Sequence, residues 1–135
     1  MRTMKANGAY TALVSGGFTL FTGPIAAMIG FDENRANTLL VDNGKFIGRV
    51  TEPILGREAK FESLIELRAR HGLVREETMA VGDGANDLSM IQEAGLGVAF
   101  HAKPAVAAAA GARVDHGDLS ALLYAQGYRR EQFVG

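Results

Sequence analysis

Apolar positions along this chain fall in short runs separated by segments of helical period, and that alternation sets the first expectation. Residues 10–14, 78–81, 96–100 and 112–114 are β-type runs of strand length, the first punctuated by Ser15-Gly16-Gly17. Residues 18–29 suit a helix, with Pro24 near its first turn and Gly30 as its terminator. In 57-REAKFESLIELRARHG-72 the helical period puts Phe61, Leu64, Ile65 and the stem of Arg68 on one stripe, ended by Gly72. Further helices are predicted over 86–94, 104–110 and 118–126, and residues 1–6 read as the end of a helix closed by Asn7-Gly8. Asp42-Asn43-Gly44 between two β-type runs in 38–50 marks a hairpin.

Short strands alternating with helices argue for an α/β fold: a mostly parallel sheet with helices on both faces, plus the small hairpin. No linker, repeat or low-complexity tract breaks the 135 residues beyond the run Ala107 to Ala110, so one domain is expected. With 47% hydrophobic and 21% charged residues the composition is globular, and a net charge of −1 lacks the basic field that nucleic-acid binding uses. No cysteine is present, which excludes disulfide scaffolds and thiolate metal sites. The greasiest stretch, residues 18–30, is broken by Gly23 and Pro24 and falls short of the ~20 residues of a membrane span. No secretion signal is legible, and a cytoplasmic, soluble protein is the default expectation.

Chemistry concentrates where two strands are predicted to end. In an open parallel sheet, ligands bind outside the carboxyl ends of the strands, where free N–H groups enter helices. Ser15-Gly16-Gly17 can cradle a phosphate, or form a strand-to-helix turn with Ser15 as cap. In 81-VGDGANDLSM-90, Asp83 stands between glycines after an apolar strand, an oxygen ligand suited to a hard cation such as Mg2+. Asn86 can donate to a ligand oxygen and Asp87 can cap the helix that follows; an Asx-turn with an N-cap explains those two equally well. Lys60 falls in the first turn of its helix, opposed to the helix dipole, where it is either one more surface lysine or a site residue. The two strand-end segments are expected to share a crevice. His71, His101 and His116 lie in separate segments, so zinc is not expected.

Taken together, 14-VSGGFT-19, Lys60 within 56-GREAKFESL-64, and 81-VGDGANDLSMIQEAGLGVAFHAKP-104 resemble the haloacid-dehalogenase-like hydrolases, in the phosphoserine phosphatase branch. The resemblance implies a Rossmann-like fold and hydrolysis of O-phosphoserine with Mg2+ as cofactor. It implies that Ser15 and the Gly16 amide hold the phosphoryl group, that Lys60 neutralises it, and that Asp83 binds the metal. It further implies that Asn86 contacts phosphate and that Asp87 orients the lysine or the metal shell. One departure stands out. The family's first motif, Asp-x-Asp-x-Thr, supplies the nucleophile, and no two of this chain's aspartates are separated by one residue. The cap segment is missing too. The chain is therefore expected to be a partial catalytic core over 1–135, like the C-terminal half of such an enzyme, lacking the central nucleophile strand and inactive alone. It is expected either to pair the two strands flanking the missing one directly, to form a homodimer through them, or to pair with the missing N-terminal half. Another phosphatase of the superfamily, or a non-catalytic phosphate-binding module, are the alternatives.

Overall fold

The computed structural model describes residues 1–37, 39–42, 45–50 and 57–134, with 39–42, 45–50 and Arg57 described through their backbone. The chain divides into two compact units: residues 1–56 with 123–135, and residues 57–122.

In the first unit, α1 (Arg2–Ala6) ends at Asn7 and turns at Gly8, whose φ of 87° lies in the left-handed region. Strand β1 (Ala12–Phe18) pairs in parallel with β2 (Glu33–Asn37). The helix between them, α2 (Thr19–Ile29), closes on Gly30. Two expectations change here. Ser15-Gly16-Gly17 does not end the strand but is carried inside it, at a register shift between Val14 and Phe18; two glycines let the backbone bulge without losing its extended course. Pro24 sits in the second turn of α2, where it removes the bond its N–H would have made to Leu20. Strand β2 has no apolar alternation to announce it, since Glu33-Asn34-Arg35-Ala36-Asn37 is polar and only half-buried except at Asn37. Strands β3 (Leu39–Asp42) and β4 (Lys45–Val50) form the antiparallel hairpin, with Asp42 opposite Lys45; the Asn43-Gly44 turn lies outside the described residues.

A polar staple fixes the entry to β1. The Asp32 carboxylate accepts from the Thr11 amide at 2.7 Å and from its hydroxyl at 2.9 Å, and lies 3.1 Å from Lys5 Nζ. The Thr11 amide, then its hydroxyl and Lys5, hold this carboxyl below the usual value of 3.8 against the opposing effect of desolvation. A carboxyl whose pKa is lower in the folded chain stabilises above its unfolded value, and that contribution fades as pH falls through the folded value. Asp32→Asn is accordingly expected to lower the urea midpoint at pH 7, with the gap from the parent chain narrowing below about pH 4. A gap independent of pH would refute the assignment.

In the second unit, β5 (Met79–Gly82), β6 (Leu96–Phe100) and β7 (Ala112–Val114) make a parallel sheet in that order, with Gly82 paired to Ala99. Central β6 is buried at Gly97, Val98 and Ala99, as a strand covered on both faces must be. Helix α3 (Arg57–Arg70) precedes the sheet, α4 (Leu88–Glu93) joins β5 to β6, and α5 (Pro104–Ala109) joins β6 to β7. The core gathers Ile91, Ala99, Val106 and Ala107, flanked by Leu88, Ala102 and Ala110. Helix α3 departs from its expected stripe. Phe61, Leu64, Ile65 and Arg68 are half-buried, whereas Lys60 and Ser63 are buried. Residues 118–126 yield only a short α6 (Ala121–Ala125), because the Asp118 carboxylate takes the Ser120 amide and hydroxyl and holds the segment before it in a turn. No helix among the described residues is long and apolar enough to cross a membrane.

Candidate active site

Strand β5 stops at Gly82, and the chain then passes through Asp83 and Gly84 into a 3₁₀ turn, Ala85–Asp87, that feeds α4. Asp87 organises this loop. Its Oδ2 accepts from the backbone amides of Asp83 at 3.1 Å and Gly84 at 3.3 Å, while Oδ1 accepts from Lys60 Nζ at 2.5 Å. Both partners of the ion pair are buried, Lys60 8% and Asp87 5% exposed. The side chain of Asp87 thus points back onto the loop and makes no side-chain cap for α4, contrary to the simple N-cap expectation. A buried carboxylate with one cation and two N–H donors has its charge balanced and both oxygens engaged.

The glycines of the loop have a steric reason. A Cβ on Gly82 would lie 2.5 Å from the Cβ and Oδ2 of Asp87, and one on Gly84 would lie 2.7 Å from Asn86 Oδ1. Only glycine at position 82 leaves room for Asp87 to fold under the strand end, whereas a Cβ at position 84 would need only the exposed Asn86 side chain to turn aside. Asp83 and Asn86 themselves are exposed, and among the described residues neither side chain has a hydrogen-bond or ionic partner. Helix α3 is kept in register with α4 by Arg68 to Glu93 at 3.1 Å, and the Arg75 guanidinium caps the carbonyls of Gln92 and Glu93.

Lysine 60, Asp83, Asn86 and Asp87 are therefore brought onto one loop-and-helix assembly of the second unit. Ser15 and Gly16 belong to the first unit. There Ser15 Oγ accepts from the Gly17 amide at 2.9 Å, which leaves its O–H free to donate; it does not cap α2, whose N-cap is Phe18 without a side-chain bond. The Gly16 carbonyl accepts from Asn37 Nδ2 at 2.9 Å, and Asn37 is buried at the end of β2. Asn37, which sequence reasoning did not single out, thereby ties the end of β2 to the Ser15-Gly16-Gly17 bulge. Its only signal was an amide at the close of a segment that reads as a polar loop.

As a metal site the loop offers part of a shell. Among the described residues no three His, Asp or Glu side chains gather around a common point, and both Asp87 oxygens are engaged. Asp83 remains, an exposed carboxylate that fits Mg2+ as one oxygen ligand beside waters and phosphate oxygens.

The chain belongs to the haloacid-dehalogenase-like hydrolases, whose family model matches residues 1–92. Within that family the chain is similar to phosphoserine phosphatases. The enzyme of Streptomyces coelicolor is 44% identical over 132 residues, covering 98% of this chain and 32% of that protein. The enzyme of Methanocaldococcus jannaschii is 40% identical over 91% of this chain and 58% of its own length. A solved structure of a phospho-aspartyl intermediate analogue of phosphoserine phosphatase superposes with a TM-score of 0.83 at 40% identity, over 92% of this chain and 59% of that one. The chain thus spans between a third and three-fifths of these relatives.

Proposed function

We propose that this chain is the phosphate- and metal-binding part of an Mg2+-dependent phosphoserine phosphatase, a partial catalytic core of that enzyme. The observation that carries the reading is the buried Lys60–Asp87 pair anchored to the Asp83 and Gly84 amides at the end of a parallel strand. Phosphoryl transfer needs positioning and charge neutralisation more than covalent participation by the protein. Asp87 holds one of the three Lys60 donors, which aims the remaining two and keeps the ammonium in place as charge builds on the phosphoryl oxygens. Asp83 gives a carboxylate to Mg2+, which when bound neutralises phosphate charge. Asn86 donates to a phosphoryl oxygen, as do the Ser15 hydroxyl and the Gly16 amide. The substrate is O-phosphoserine in the cytoplasm.

No Asp-x-Asp pair exists in these 135 residues to attack phosphorus. In this reading the nucleophile is supplied by polypeptide outside these residues, and the free edge of β5, which has a single strand neighbour among the described residues, is open to a further strand. The same absence favours a second reading, a phosphate-binding module without turnover. Titration of O-phosphoserine and of inorganic phosphate, with and without Mg2+, is expected to show Mg2+-assisted binding that Asp83→Ala weakens, and no phosphate release. Release that depends on Mg2+ and on Asp83 would overturn the inactivity; absence of any phosphate binding would sink both readings.

A further inference from the structure

Strand β1 runs ahead of its neighbour at the Ser15-Gly16-Gly17 bulge. Val14 stands opposite Arg35 and Phe18 opposite Asn37, so β1 advances four residues while β2 advances two, and the ladder bonds cannot all be kept across that stretch. One side chain spans the gap. Asn37 reaches back from its place beside Phe18, and its Nδ2 donates to the Gly16 carbonyl at 2.9 Å. The other end of that same peptide unit, the Gly17 amide, donates to Ser15 Oγ at 2.9 Å. Because a peptide unit is planar, the two bonds together fix its rotation, and through the second of them they fix where the Ser15 oxygen lies. Asn37 is 6% exposed, and β2 is tied to α2 by the Thr22 hydroxyl, which donates to Asn34 Oδ1 at 3.1 Å.

We infer that Asn37 is a positioning residue of the anion cradle: by holding the Gly16–Gly17 peptide unit it aims the Ser15 hydroxyl at a phosphoryl oxygen. This rests on the phosphatase reading, in which the Ser15 hydroxyl and the Gly16 amide hold phosphate, and adds to it the residue that orients them. Patching the bulge is not reason enough for a buried amide. Gly16 is exposed, so water satisfies its carbonyl without help, and an apolar side chain in the place of Asn37 would avoid the desolvation that an amide suffers on burial. What water does not give is a fixed direction. With its oxygen taken by the Gly17 amide, Ser15 keeps one O–H to donate, and a donor already held in place loses little freedom when it meets a charged oxygen.

Inorganic phosphate titrated with Mg2+ against the parent chain, Ser15→Ala, Asn37→Leu and the double variant tests this as a double-mutant cycle. Ser15→Ala should weaken phosphate about tenfold, the worth of one hydrogen bond to a charged oxygen, and Asn37→Leu about 3–10-fold. On the Ser15→Ala background Asn37→Leu should change affinity by less than about twofold, because the residue acts through that hydroxyl. A merely structural residue would weaken both backgrounds alike. NMR adds a readout that stability alone does not move: Asn37→Leu should average the Ser15 Hα–Hβ couplings toward free rotation and speed Gly17 amide exchange about tenfold, at a urea midpoint measured alongside. Asn37→Ala, whose smaller side chain admits water to the Gly16 carbonyl, carries the same expectations if the leucine variant does not fold. With a parent chain that binds phosphate, equal losses on both backgrounds, unchanged Ser15 couplings in a folded Asn37 variant, or unfolding of both Asn37 variants would overturn the inference and leave the phosphatase reading standing. A parent chain that takes up no phosphate would sink that reading, and this inference with it.

Discussion

Lys60→Met is expected to cost the chain about 3–5 kcal/mol, because it strands the Asp87 carboxylate in a buried position with its cation gone. The two amide donors from Asp83 and Gly84 remain, which places the loss toward the lower end of that range. Asp87→Asn is expected to cost a similar amount by a different route: Lys60 keeps its charge with a weaker acceptor, and the new amide hydrogens face the N–H groups of the loop. The double variant should be less destabilised than the sum of the singles by more than about 1 kcal/mol, since each single leaves an uncompensated charge that the double does not. Arg113 and Asp115 supply the contrast. Their separation is 2.9 Å, but their side chains are 54% and 41% exposed, so Arg113→Met should change stability by less than about 1 kcal/mol. Urea unfolding of the four variants measures all of this. Additive Lys60 and Asp87 effects would mean that the pair does not act as a pair.

The parts of the fold legible in the sequence are those set by local chemistry. Strand β6 and β7 fall on their apolar runs, and Gly30 and Gly72 end their helices with positive φ where a terminator was read. The acidic loop was legible as a strand end entering a helix, since Gly82 through Asp87 announces a turn by composition alone. Long-range matters were not. Lys60 looks like any lysine of a surface helix until its partner, 27 residues on, is brought beneath it. Strand β2 owes its place to parallel pairing with β1 and to Asn37, neither of which leaves an alternating pattern. The stripe on α3 misled for a related reason: periodicity locates an apolar face, but here the buried face is the one that holds the ion pair. Ser15-Gly16-Gly17 was read as a break because glycines break isolated strands, whereas a paired strand accommodates them as a bulge.

Gly97→Ala should be the most damaging methyl group that can be added to the second unit. Gly97 is buried in central β6, and a Cβ there would run into the carbonyl oxygen of Ile91, with the Ile91 carbonyl carbon at 2.7 Å and its Cγ2 at 2.9 Å. The first obstacle is backbone at the C-terminal end of α4, which no rotamer change relieves, so either β6 or α4 must move. Overpacking usually costs about 1–3 kcal/mol, and a backbone obstacle puts this case at or above the top of that range. Gly111 is the control: a Cβ on it meets the Gly97 carbonyl oxygen at 3.7 Å, ordinary contact, and its Ala variant should stay within about 0.5 kcal/mol of the parent. The consequence reaches the candidate site. Helix α4 starts directly after Asp87 and is tied at its far end to α3, the helix carrying Lys60, through Glu93 and Arg68. A helix displaced from β6 therefore shifts the carboxylate against its lysine, and Gly97→Ala should loosen amide-exchange protection at Asp83 and Gly84 as well as along β6. Protection lost in β6 but intact at those two amides would show that the loop is held independently of the core beneath it.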